Sequence, residues 1–139
     1  MNEEQTNLLQ SAAQAALIAY APYSKFRVGA AVLTPGGVFL GANIETASTN
    51  LGICAEQAAI THARMRGENK IIGLAVSCPD ALPGEDGKVD EYGAMPCGAC
   101  RQWLAELAAE AWVVISSSNK VYELNDLLPF AFQLHTDKD

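Results

Sequence analysis

The sequence predicts an α/β domain: a five-stranded mixed sheet with helices on its faces, one domain spanning residues 1–139. Three observations carry this. Helical spacing and short apolar runs alternate along the chain in the order α-β-β-α-β-α-β-β-α. Several of the apolar runs are nearly continuous, as in strands covered on both faces. Pro35-Gly36-Gly37 sits between two such runs and reads as the turn of a hairpin.

The elements follow in order. Residues Asn7–Tyr20 place Leu8, Leu9, Ala12, Ala16, Leu17 and Tyr20 at helical spacing, with Thr6 as the expected cap. Pro22 ends that helix, because the residue before a proline avoids the α region. Arg27–Thr34 and Val38–Asn43 are the strands of the hairpin. Glu45–Ile53 is polar and reads as a loop. Ala55–Arg66 is a helix stopped by Gly67. Lys70–Ser77 is a third strand. Gly98–Ala109 is a helix, Trp112–Ser116 a fourth strand and Val121–Leu124 a short fifth. The strand–helix–strand run from Lys70 to Ser116 fits a right-handed parallel crossover. Asn125–Leu128 reads as a brief helix, and His135–Asp139 as a frayed polar tail. Pro79–Met95 is a long acidic loop, a length that points to a lid, an interface element or a mobile excursion.

Composition narrows the function. The chain has 139 residues, half of them hydrophobic, enough for a core without disulfides. Nine Lys and Arg against sixteen Asp and Glu give a net charge of −7. Such a surface repels phosphate backbones, which argues against a nucleic-acid partner and for a small neutral ligand. The longest apolar runs, such as Gly29–Leu33 and Ala111–Ile115, are too short to cross a membrane. The N-terminus has no basic segment of a secretory signal, so a cytoplasmic location is expected. In a reducing compartment Cys54, Cys78, Cys97 and Cys100 read as metal ligands or free thiols.

Two segments carry chemistry: Cys54-Ala55-Glu56 and Pro96-Cys97-Gly98-Ala99-Cys100, each at the expected start of a helix. One helical turn puts Cys97 and Cys100 on one side. Helix N-termini favour thiolates. Three thiolates plus one open position make a catalytic zinc arrangement, whose fourth position can hold an activated water. Glu56, two residues beyond Cys54, is placed for proton transfer beside such a water. Together the segments match the general pattern of zinc deaminases. Two plainer readings stay open. Cys97 and Cys100 also fit a redox dithiol, or half of a structural zinc ribbon completed by Cys54 and Cys78. Cys78 reads more simply as a small core residue. His62 and His135 receive no metal role, and Trp103 and Trp112 read as packing residues.

Over roughly Tyr20–Phe132 the sequence resembles the cytidine deaminase family, in its short homotetrameric type with three cysteine zinc ligands. The resemblance lies in Pro22-Tyr23-Ser24-Lys25-Phe26-Arg27-Val28-Gly29-Ala30-Ala31, Asn43-Ile44-Glu45, Cys54-Ala55-Glu56, Pro96-Cys97-Gly98-Ala99-Cys100-Arg101-Gln102, and Leu127-Leu128-Pro129 followed by Phe132. It implies a three-layer α/β/α fold and hydrolytic deamination of cytidine and 2′-deoxycytidine, with one zinc per subunit. It implies that Cys54, Cys97 and Cys100 hold the metal and that Glu56 moves the proton. Phe26 would pack on the pyrimidine, Asn43 and Glu45 would bind the ribose hydroxyls, and the backbone at Ala55 would hold the base carbonyl. Phe132 would reach a neighbouring subunit's site.

Three positions depart from the family's pattern. Many relatives carry Arg directly after the glutamate, where this chain has Gln57. Arg101 is then the expected offset for the net negative charge of a zinc tris-thiolate. The loop Ala47-Ser48-Thr49-Asn50 lacks a frequent aromatic, and Pro79–Met95 is long. A roomier pocket, open to N4- or 5-substituted cytidines, is the expectation from size. A blasticidin S-type deaminase and a non-catalytic zinc-stabilised binding module are the competing readings.

Overall fold

The computed structural model describes residues 1–135. Its elements are α1 (Glu3–Ala16), β1 (Gly29–Thr34), β2 (Gly37–Ala42), α2 (Ala55–Met65), β3 (Gly73–Ser77), α3 (Gly98–Leu107), β4 (Trp112–Ile115) and α4 (Leu124–Leu127). The strands form one mixed sheet in the order β2-β1-β3-β4. β1 runs antiparallel to β2 and β3, and β3 runs parallel to β4. The expected hairpin and the parallel crossover through α3 are both present. Thr34 pairs with Gly37, which leaves Pro35-Gly36 as the turn.

Side-chain alternation along the strands makes the layers. Ala31, Ala75 and Val114 pack with Leu8 and Ala12 of α1 on one face. Ala30, Val32, Leu74, Val76, Val113 and Ile115 pack on the other with Ala59 and Ile60 of α2 and Leu104 of α3. The strands β1 and β3 are covered on both sides, which explains their unbroken apolar runs. Gly41 lets β2 press against α2: a Cβ there would collide with the backbone of Ala55 and Ala59. That contact fixes the height of the helix carrying Cys54 and Glu56.

Several boundaries differ from expectation. The sheet has four strands, not five. Tyr122 alone pairs with Val113, through bonds of 2.9 and 2.8 Å. A reciprocal cap between Glu123 and Asp126 then turns the chain into α4. Helix α1 starts earlier than its apolar spacing indicates. Asn2, not Thr6, caps it: Asn2 Oδ1 accepts from Gln5 N (2.8 Å), and Gln5 Oε1 accepts from Asn2 N (2.9 Å). The helix also ends before Tyr20, whose N–H is taken by the Asn43 carbonyl at 3.0 Å.

The acidic loop is partly anchored. Residues Glu91–Ala94 form a 3-10 turn. Glu91 Oε2 accepts from Tyr122 Oη (2.7 Å) and Lys120 Nζ (3.3 Å), and its carbonyl accepts from Ser117 Oγ (2.9 Å). Of the expected polar tail, all but His135 lies outside the described residues.

Candidate active site

Helices α2 and α3 begin with cysteines. Cys54 and Cys97 are the cap residues, both in extended backbone, and their carbonyls accept the first helical bonds from Ala58 (3.0 Å) and Arg101 (2.9 Å). Neither thiol is spent on capping its own helix. Cys100 lies in the first turn of α3 and is fully buried. The three Sγ atoms all lie within 4.8 Å of one another, with Cys97 and Cys100 at 3.5 Å. Tetrahedral zinc with Zn–S bonds of about 2.3 Å needs sulfurs about 3.8 Å apart. Three soft donors at this spacing, at two helix N-termini, fit zinc.

The hydrogen bond from Cys100 draws the Cys54 thiol down to about 7 against the opposing effect of burial. The same bond, together with burial, pushes Cys100 up. Cys78 stands apart from this group. Burial first, then the charges of Glu56 and Asp80, push its thiol up to about 12, and its sulfur is not among those that lie within 4.8 Å of one another. The four-cysteine ribbon therefore has no fourth member here.

Glu56 is only 4% exposed. Burial raises its pKa above the ordinary carboxylate value, against partial relief from its own backbone and from Cys100. It lines a cavity of about 460 Å³ together with Cys54 and Cys97. Phe26, Asn43, Glu45 and Ala55 line the same cavity. Asn43 Oδ1 accepts from Val28 N (2.8 Å), and its Nδ2 donates to the Phe26 carbonyl (2.9 Å). Glu45 Oε1 accepts from the N–H groups of Tyr23 and Ser24, each at 3.1 Å. The Ser24 hydroxyl and then its N–H hold Glu45 below the usual carboxylate range. Ala55 is the first residue of α2, where a backbone N–H has no intrahelical partner.

Over residues 2–116 the chain matches the model of the cytidine and deoxycytidylate deaminase zinc-binding region. The chain belongs to the cytidine deaminase family. It is 40% identical over 130 residues to the cytidine deaminase of Halalkalibacterium halodurans, covering 90% of this chain and 91% of that one. It is 39% identical over 132 residues to the enzyme of Mycobacterium tuberculosis H37Rv, covering 92% and 90%. The crystal structure of cytidine deaminase from Mycobacterium tuberculosis aligns with a TM-score of 0.77 at 36% identity, over 96% of this chain and all of that one. That from Burkholderia pseudomallei gives 0.73 at 36% identity, over 95% of this chain.

Three residues of this deaminase-family chain lie away from the cavity wall. Arg101 does not turn its hydrogen bonds to sulfur. Its Nε donates to the Pro96 carbonyl (2.8 Å) and its Nη1 to that of Leu127 (2.7 Å). Those bonds brace the turn before Cys97 against the end of α4. Gln57 is half-buried on α2 and does not line the cavity. Phe132 is 69% exposed, and its carbonyl accepts from Gln102 Nε2 (3.1 Å).

Sequence reasoning missed the cavity positions of Cys78 and Met95. It also missed an ion pair between Arg27 and Asp80. Arg27 stands inside a recognised motif, but its partner is 53 residues away, in a loop whose other acids look the same.

Proposed function

We propose that this chain hydrolyses cytidine and 2′-deoxycytidine to uridine and 2′-deoxyuridine, with release of ammonia. One observation carries the reading: a buried glutamate lines a nucleoside-sized cavity beside three clustered thiols. A merely structural zinc module has no use for that carboxylate.

Cys54, Cys97 and Cys100 would hold zinc, one ion per subunit, which would supply Lewis acidity and activate water near neutral pH. Glu56 does the proton work. It takes a proton from the attacking water and returns it to the departing 4-amino nitrogen, and burial, which raises its pKa, helps it hold that proton in between. Phe26 gives the pyrimidine a face. The free N–H of Ala55 donates to the base carbonyl. Glu45 and Asn43 accept ribose hydroxyls, Glu45 through the oxygen left open by Tyr23 and Ser24.

Phe132 serves a neighbouring subunit's cavity, and the working particle is a homotetramer. Its exposure and its place outside its own chain's cavity support this. A cytoplasmic salvage role suits a net charge of −7 and a chain in which, among the described residues, no helix is long and apolar enough to cross a membrane. The small side chains near Thr46 and Thr49 on the cavity wall leave room for N4- or 5-substituted cytidines.

The test is product identification with zinc-loaded protein. Equimolar uridine and ammonia from cytidine, and deoxyuridine from deoxycytidine, are expected. Turnover of blasticidin S with neither nucleoside converted would replace this reading.

A further inference from the structure

Arg27 grips Asp80 three times. Its Nε donates to Oδ2 (2.8 Å), its Nη2 to Oδ1 (2.9 Å) and its backbone N–H to Oδ2 (2.9 Å). The two residues are 53 positions apart and belong to different walls of the cavity. Phe26 and Val28, on either side of Arg27, line it from one wall. Val76 and Cys78, just ahead of Asp80, line it from another. Arg27 and Asp80 do not line it, so neither is placed to touch substrate.

Stability is a poor explanation for this pair. The side chains are 40% and 27% exposed, and ion pairs that open contribute little to global stability. Position is the better one. A forked guanidinium–carboxylate contact specifies distance and plane together, and a third bond from the same residue's backbone removes the remaining freedom. The segment needs such ties. Lys25, two residues earlier, has φ of 60°, a conformation a side-chain-bearing residue holds only when its surroundings impose it. Asn43 holds Phe26 and Val28 by their backbone from one side. Asp80 holds Arg27 between them from the other.

We propose that the Arg27–Asp80 pair is a positioning clamp that sets where Phe26 stands relative to the Cys78 wall, and so tunes how tightly the base is held. The clamp builds on the cytidine reading above. Phe26 meets the base in the ground state and in the transition state alike. Loosening it therefore raises KM while leaving kcat nearly unchanged.

The experiment combines kinetics with amide hydrogen exchange on the zinc-loaded protein. Arg27→Ala and Asp80→Ala are each expected to raise KM for cytidine about three- to tenfold, with kcat within about twofold. The double variant should be no worse than Asp80→Ala, which removes all three bonds, whereas Arg27→Ala leaves the bond from the backbone N–H in place. Arg27→Lys should recover only part of the loss, since it keeps the charge without the fork. Asp80→Asn keeps the side-chain volume and serves if an alanine variant does not fold. Without any ligand, amides 26–28 should exchange faster in every variant. A KM within about 1.5-fold of the parent, or multiplicative effects in the double variant, would overturn the clamp. If the parent itself does not deaminate cytidine, the substrate reading fails; unchanged exchange at 26–28 then rejects the clamp, and faster exchange upholds it.

Discussion

Glu56 and Asp80 are two carboxylates pushed in opposite directions by their surroundings. Burial raises Glu56. The hydrogen bonds and charge of Arg27 hold Asp80 down to about 2, from an ordinary 3.8. Because the pair is partly exposed, its contribution to stability is small; that contribution is complete above about pH 4 and is lost as pH falls toward 2. Acid unfolding of the parent and of Asp80→Asn should differ only slightly above pH 4 and converge near pH 2. The cysteines make a second residue-scale prediction. Cys54→Ala or Cys97→Ala should lose zinc, measured by metal analysis, while Cys78→Ala should retain it. The ligand trio was legible in the sequence because two helix starts each announce themselves by local spacing. That Cys78 stays out of the trio was legible too; its place on the cavity wall was not, since nothing in a buried strand tells which of its ends opens on a cavity. Arg101 was legible as a neighbour of Cys100 but not in its direction, which two carbonyls decide.

At the scale of elements, the site depends on where α2 and α3 begin. Gly41 sets the approach of β2 to α2, and no Cβ fits there. Gly41→Ala should cost about 1–3 kcal/mol in thermal or denaturant unfolding and reduce zinc retention, because α2 must shift with Cys54 on it. Periodicity found the interiors of α2, α3 and the strands well. It failed at ends, for reasons that are individual. The start of α1 belongs to a side-chain cap between Asn2 and Gln5 rather than to apolar spacing, and its end to a long-range bond from Tyr20 to Asn43. The fifth strand shrank to one pair at Tyr122 because the cap of α4 intervenes. Asn2→Ala should cost about 1 kcal/mol in thermal unfolding and leave turnover unchanged.

At the scale of the molecule, a four-stranded sheet with helices on both faces brings four distant segments to one cavity: Phe26 before β1, Asn43 and Glu45 after β2, and the starts of the two cysteine-led helices. The alternation of elements made that architecture readable; the cavity itself arises only once the segments meet. Large apolar side chains remain exposed, among them Leu17, Ile18, Leu51, Phe130 and Leu134. Such exposure suits burial between copies of the chain. Sedimentation at micromolar concentration should give four times the chain mass. Phe132→Ala should lower turnover by more than its distance from its own cavity accounts for.

Glu56 is the proposed proton carrier of a deamination at a three-cysteine metal site. The most direct measurement is the ultraviolet change on mixing zinc-loaded protein with cytidine, run beside Glu56→Gln with zinc content determined in both. Conversion to uridine by the parent is expected, with a fall in kcat of about a hundred- to ten-thousand-fold in the variant and zinc retained. Equal rates in the two proteins at equal zinc content would contradict it.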